Sequence, residues 1–469
     1  MKKVSLTILL ACITVIGYSQ TTDSTTVFKK RVLDNIEIDF ISSYYSQDGN
    51  NASVTGGIGT EKLTDVTPTF TVSIPMNDDD VLSIDASISA YTSASSSNLD
   101  PFDNRNGGSL NATPWVESSG ASGGDSWTSL SGSYTHSSDD RNKIWSANLS
   151  FANEYDYRSL GFGGSYTYLF NKKNTELSTK INAYIDSWNP VYPSEIRSYL
   201  DPQTNLNQGL LSGVNIYHEN GDIMNTNNPD AWRPNNSELI VDKGRNTFSG
   251  SFSFSQILSK NTQISLFFDV VQQSGWLANP MQRVYFKDKE NYYVGDPNNI
   301  STYTTPGTKN VFMLADDIER LPDTRLKLPI GARLNHYLNE YITLRTYYRF
   351  YSDDWGIKSH TVQIETPIKL GRYITLIPSY RNYSQTAADY FAPFDEHLST
   401  NQFYTSDYDL SKFTANQYGV GLRYTDVLTQ KKIWKLGIKQ INLKFSMYER
   451  SSGLTANIIT AGIKFVLDK

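Results

Sequence analysis

The chain has 469 residues, 38% hydrophobic and 19% charged, with a formal net charge of −6 and one cysteine. That balance gives no electrostatic reason to expect nucleic acid as a partner, and one cysteine cannot build a disulfide framework. Aromatic residues reach 13%, led by 31 tyrosines, a composition suited to surfaces where apolar medium meets water.

The chain opens with Met1-Lys2-Lys3, followed by the apolar stretch Val4 to Gly17. This has the form of a signal peptide of residues 1–20, cut near Tyr18-Ser19-Gln20, and is too short for a spanning helix. Leu9-Leu10-Ala11-Cys12 also has the form of a lipoprotein processing box, although the apolar run continues to Ile16; lipidation of Cys12 is the alternative. Ordinary cleavage leaves a mature chain without cysteine, which removes thiol catalysis and thiolate metal sites. A short tail, 21–33, then leads into one domain over 34–469.

From there the dominant signal is alternation with a period of two. In Leu82-Ser83-Ile84-Asp85-Ala86-Ser87-Ile88-Ser89 the even positions are apolar and the odd ones polar, and the pattern recurs in 264–270, 342–350 and 441–447. The repeating segments run to about 11–14 residues, longer than the roughly 5–6 of a soluble sandwich strand and suited to a tilted membrane crossing. Sixteen strands are expected, at 34–46, 66–76, 81–95, 127–137, 144–155, 158–170, 175–188, 246–258, 262–274, 325–337, 341–352, 357–369, 373–384, 413–426, 436–449 and 454–467. With no second long apolar run, a membrane location requires a closed sheet, because an unpaired backbone in lipid is too costly. The fold class is therefore all-β: a transmembrane antiparallel up-and-down β-barrel with long extracellular loops.

The connections sort by length. Short turns such as 77–80, 171–174, 259–261 and 370–372 fall on one end, and the long segments 96–126, 189–245, 275–324 and 385–412 on the other. Short periplasmic turns and long external loops give this parity, which places the protein in the outer membrane with both termini periplasmic. The long loops are rich in Asn, Asp, Pro, Gly and aromatics and should be partly ordered over the barrel mouth. Tyr44, Tyr45, Tyr155, Tyr157, the tyrosines of 347–351, Trp188, Trp276, Trp355 and Trp434 cluster at strand ends and read as interfacial belts.

Alternation assigns a set of charges to the lumen: Glu37, Asp39, Asp85 and Glu154 on early strands, and Lys327, Arg333, Arg345, Arg349, Arg381, Arg423, Lys444 and Lys464 on late ones. Because the last strand closes on the first, Lys444 and Lys464 should face Glu37 and Asp39 across the seam. Acidic and basic walls set a transverse field favouring anionic or zwitterionic solutes; the competing reading is a lumen filled and rigidified by ion pairs.

Other motifs carry less. Gly56-Gly57-Ile58-Gly59-Thr60 lacks the helix that a phosphate loop needs. His136-Ser137 is followed by Asp139-Asp140, not by the Asn and Gly of outer-membrane phospholipases. The remaining histidines have no metal-ligand spacing. No catalytic residue, cofactor site or metal site is assigned.

Residues 38–65, with Tyr44-Tyr45, Gln47-Asp48-Gly49-Asn50 and Thr55-Gly56-Gly57-Ile58-Gly59-Thr60-Glu61, resemble the exported barrel family catalogued as domain of unknown function 3570. Tyr91 to Ser97 and Leu99-Asp100-Pro101 fit the same family loosely. The resemblance implies an outer-membrane barrel, often accompanied by a small lipoprotein and by redox or flavin-attachment proteins, and supplies no catalytic residues. The leading expectation is a non-enzymatic, passive or partner-gated pore for small polar or anionic solutes. A scaffold for a lipoprotein or an envelope redox or assembly partner is the alternative, and an outer-membrane enzyme a third. Outer-membrane lipids and, during insertion, the barrel-assembly machinery are the other expected partners.

Overall fold

The computed structural model describes residues 31–93, 125–189, 192–200, 205–208, 211–236, 243–304 and 310–467. The expected signal peptide, most of the tail and most of the 96–126 loop lie outside these residues.

Sixteen barrel strands follow one another in chain order. They are β1 (Ile36–Asp48), β2 (Leu63–Pro75), β3 (Asp80–Ser93), β4 (Asp125–Ser137), β5 (Lys143–Asn153), β6 (Tyr157–Phe170), β7 (Thr175–Trp188) and β8 (Lys243–Ser259). Then come β9 (Thr262–Gly275), β10 (Thr324–Lys327 with Ile330–Tyr337), β11 (Thr343–Ser352), β12 (Lys358–Glu365 with Ile368–Lys369), β13 (Ile374–Gln385), β14 (Phe413–Thr425), β15 (Leu436–Arg450) and β16 (Thr455–Leu467). Each pairs antiparallel with its neighbours, and β1 pairs with β16 from Ile36↔Leu467 to Asp48↔Thr455. That last ladder closes the sheet and leaves no edge strand.

Prolines divide two of the strands. Pro329 and Pro367 have no N–H to give the ladder, yet their carbonyls still accept from Asp269 at 2.9 Å and Thr343 at 3.1 Å. The strand path therefore continues across both interruptions.

Alternation sorts the faces. One set of rows carries Phe40, Phe70, Leu130, Leu149 and Ile181; Leu149 is 60% and Ile181 67% exposed. In a closed sheet this apolar set is the outer, lipid-facing surface, and the polar rows between are the inner one. Phe40 and Phe70 meet across β1 and β2 with ring centroids 4.7 Å apart. At the short-turn end Tyr134–Trp145 (5.5 Å) and Tyr373–Tyr424 (5.8 Å) form part of an aromatic girdle.

The belt reading fails for two tryptophans. Trp355 is 3% exposed; the Arg325 guanidinium stacks on its ring at 4.2 Å, and it packs with Ala278, Trp276 and Leu321. Both Trp276 and Trp355 anchor the loop assembly above the barrel, where apolar partners were available that strand-end position does not reveal.

That assembly is a folded cap. Tyr192, Ile196, Tyr199, Leu211, Ile216, Trp232, Tyr285, Val294, Phe312 and Ile318 form one buried core drawn from the β7–β8 and β9–β10 connections. Short ladders, Ile216-Tyr217 on Tyr293-Val294, Tyr293–Gly295 on Val311–Met313, and Arg283-Val284 on Asp317-Ile318, satisfy much of its backbone.

Candidate functional site: the charged lumen and its cap

The inner rows differ from one side of the barrel to the other. On β3 to β8 they are mostly small and polar, as in the lateral run Ser131, Ser150, Gly161 and the run Ser133, Asn148, Gly163, Asn182, Ser249. Acids stand among them. Asp85 accepts from Thr71 Oγ1 at 2.6 Å and Ser131 Oγ at 3.4 Å, and Asp65 from Ser89 Oγ at 2.5 Å and Thr67 Oγ1 at 2.7 Å. Small side chains keep this wall thin, leaving interior space that long ones would fill.

The facing wall, β10 to β15, is basic and aromatic. The register Arg333↔Tyr347↔Gln363↔Arg381↔Gln417 runs along one inner row and Asn335↔Arg345↔Glu365↔Ser379 along the next. Arg345 pairs with Glu365 at 2.8 Å. Arg381 donates to Gln363 Oε1 at 3.0 and 2.7 Å, and Arg423 to Asn442 Oδ1 at 2.8 Å. The Arg333 guanidinium lies 5.5 Å from the Phe267 ring and 5.4 Å from that of Tyr347, which stack at 5.7 Å. Arg349 lies 6.0 Å from the Tyr351 ring. Among the described residues no carboxylate comes within ion-pair distance of Arg333, Arg349, Arg381, Arg423 or Lys444. Arg333, Asn335, Arg345, Tyr347, Gln363, Glu365 and Arg381 line a cavity of about 440 Å³.

At the seam Lys464 reaches Asp39 at 2.8 Å and Glu37 at 3.1 Å. The second lysine there is Lys439, which also pairs with Glu37. Lys444 instead lies opposite Gly421 and Thr460, which corrects its expected place across from the acids. Lys444 lies farther along β15 than Gln440, the residue opposite Lys464, so antiparallel register carries it past the acids. Separately, a register shift between Ile438 and Gln440 re-aims Lys439 toward Glu37, although strict alternation assigns that lysine to the lipid side. Glu154 also departs from expectation. It belongs to the tight turn between β5 and β6, where its N–H donates to Tyr157 O at 2.8 Å, and burial beside Asp156 raises its carboxyl above the usual range. Lys327 stands opposite Val271 in the first half of β10, with a backbone bridge to Asp353.

The cap crosses the mouth. Arg283 N–H, from the β9–β10 connection, donates to Val54 O in the β1–β2 loop at 2.7 Å. In a barrel of sixteen strands those two hairpins stand on opposite sides. Ser406, from the β13–β14 connection, packs against Gly56, whose φ of +69° a Cβ-bearing residue would hold with strain, and which would clash with Ser406. The centre of the cap holds a fully buried ion pair: Arg283 Nε and Nη2 reach Glu195 Oε1 and Oε2 at 2.6 and 3.1 Å. Glu195 comes from the short helix Ser194–Leu200.

Two further cap acids, Glu319 and Asp316, form no ion pair among the described residues. Glu319 accepts from Thr405 Oγ1 at 2.5 Å and from the Asn279 N–H, and burial, with the Asp407 charge added, pushes its carboxyl up to about 8. Burial likewise lifts Asp316 to about 7, against the opposing effect of its hydrogen bond from Phe286 N–H at 2.8 Å. Arg320 chelates Asp317 at 3.0 Å through both Nε and Nη2. Alternation could not find these residues, because no periodicity organises the loops.

A sixteen-stranded closed sheet with an apolar outer belt, a charged interior and a packed cap across one mouth defines an outer-membrane β-barrel. The chain belongs to the family described as protein of unknown function (DUF3570), whose model matches residues 5–458. Among solved structures it is similar to a bacterial polysaccharide outer membrane secretin, with 9% identity, a TM-score of 0.42, and 92% of this chain and 99% of that one covered. It is also similar to the Pseudomonas putida toluene transporter TodX, with 11% identity, a TM-score of 0.37 and coverage of 93% and 90%. The outer membrane protein opdK of Pseudomonas aeruginosa shares 8% identity at a TM-score of 0.35, with 92% and 98% covered. No curated protein matches the chain.

Proposed function

We propose that this protein is a gated pore of the outer membrane that passes small polar or anionic solutes, with its cap on the external side and both termini in the periplasm. The observation that carries the reading is the basic excess around the 440 Å³ cavity, where Arg333, Arg345 and Arg381 meet the single carboxylate of Glu365, facing a thin wall of serine, glycine and asparagine. Arg333 and Arg381 keep guanidinium donors free for a passing anion. The cap across the mouth makes opening conditional, so the resting conductance is low.

Purified protein in planar bilayers tests this. Channels should appear with anion permeability above cation permeability, and Arg333→Gln with Arg381→Gln should bring the ratio severalfold toward one. Conductance indistinguishable from lipid alone, with the cap intact or opened, removes the pore reading.

A scaffold reading has its own observation. At the short-turn end the β14–β15 connection exposes Val427, Leu428, Ile433 and Trp434, the last 95% exposed, a cluster fit for a lipoprotein partner. A photo-crosslinker at Trp434 that captures one envelope lipoprotein in cells supports that reading; crosslinks to lipid alone count against it.

A further inference from the structure

The outward face changes character where β11 to β14 approach the capped end. Phe350, His360, Ser384 and Thr414 form one outward row, and Lys358 and Lys412 stand at its upper margin. These side chains border a cavity of about 510 Å³. His360 is fixed within it: its Nδ1 lies 2.9 Å from Tyr348 Oη, and its ring centroid 5.2 Å from that of Phe350. Among the described residues no carboxylate lies within ion-pair distance of Lys358 or Lys412. Below the row, β12 continues the face with Val362, 43% exposed, and Ile364, 42% exposed, while beside them on β13 and β14 Asn382 donates to Asn416 at 2.9 Å. The cavity thus has a cationic upper margin, an aromatic floor and an apolar exit along β12.

We propose that this cavity binds a phosphorylated lipid of the leaflet on the capped side. The phosphate sits between the Lys358 and Lys412 ammonium groups, and the acyl chains descend over Phe350, Val362 and Ile364. Basic side chains at a membrane surface attract anionic headgroups, but a soluble anion would use the two lysines alone. The aromatic floor and its continuity with the apolar belt add a demand that only an amphiphile meets. This site rests on the reading that the capped end is external, where the headgroups of the outer leaflet lie at the level of the rim.

Native mass spectrometry of the whole detergent-extracted protein tests the site. The probes are a bisphosphorylated acylated glucosamine disaccharide, its dephosphorylated counterpart and inorganic phosphate. The phosphorylated lipid should be retained at least tenfold better than the dephosphorylated one and should resist excess inorganic phosphate. Lys358→Gln with Lys412→Gln should reduce its retention about tenfold. Equal retention by that double variant overturns the site, and displacement by inorganic phosphate overturns the lipid assignment. Orientation is read separately by labelling Asn401→Cys, on the exposed cap, with an impermeant maleimide on intact cells. Absence of labelling there rejects the external cap, whatever lipid is retained. Heat-modifiable migration of the double variant on gels controls for folding.

Discussion

Arg283 and Glu195 meet at the centre of the cap with both side chains excluded from water. Removing one partner of such a pair strands a buried charge, a change that costs about 3–5 kcal/mol, whereas replacing both by apolar groups is often neutral. Arg283→Met should therefore open the cap to protease within minutes under conditions where the native cap resists, while the barrel keeps its heat-modifiable migration. Glu195→Leu added to Arg283→Met should restore most of the resistance. Glu319 makes a second prediction, in pH. Its ordinary value of 4.5 rises to about 8 in the docked cap. Below 4.5 the carboxyl is protonated whether the cap is docked or not, so it adds no pH dependence. Between 4.5 and about 8 only the docked cap keeps the proton, so docking weakens progressively as pH rises and levels off above that window. Asp316, lifted to about 7, acts with the same sign. Cap proteolysis measured from pH 5 to 9 should accelerate with pH, and Glu319→Gln should flatten much of the rise. A rate that falls with pH would contradict the assignment.

At the scale of the strand, the seam between β1 and β16 concentrates charge. Lys464 bridges Glu37 and Asp39, while Lys439 contacts Glu37 alone. Charge-assisted hydrogen bonds contribute about 1.5–3 kcal/mol each where shielded, and partial exposure of the Lys464 side chain, 28%, places these toward the lower end. Lys464→Ala should lower the temperature of the folded-to-unfolded gel shift by more than Lys439→Ala does, and Lys464→Arg should preserve it. Lys464 was legible in the sequence because its strand alternates without interruption; Lys439 was not, because a bulge has no signature in the pattern. The strands as a group were legible for the same physical reason: lipid on one face and water on the other impose a period of two over about ten residues. The divisions at Pro329 and Pro367 show that a proline can interrupt a ladder without ending a crossing. The cap was legible only as ordered loop. Glu195 and Arg283 lie 88 positions apart, and their pairing depends on two loops folding together, for which no local periodicity exists.

For the molecule as a whole, the basic wall and the cap make separable contributions to one behaviour. In the proposed pore the wall sets which solutes are favoured, and the cap sets whether they enter. Gly275 and Asp323 flank the β9–β10 connection and already meet, Gly275 N–H donating to Asp323 O at 2.8 Å. A short glycine-serine turn between them can therefore replace residues 276–322 without displacing β9 or β10. That replacement removes Arg283, Tyr285, Phe312 and Glu319 together, leaving the β7–β8 loop without its packing partners. Conductance should rise severalfold over the intact protein and lose the pH dependence that Glu319 and Asp316 impose. Anion preference should remain, because Arg333, Arg345 and Arg381 stay in the wall. If conductance rises and selectivity vanishes, the filter lies in the cap and the basic wall is structural. If conductance does not rise, the cap is not the gate, and the obstruction lies within the barrel itself.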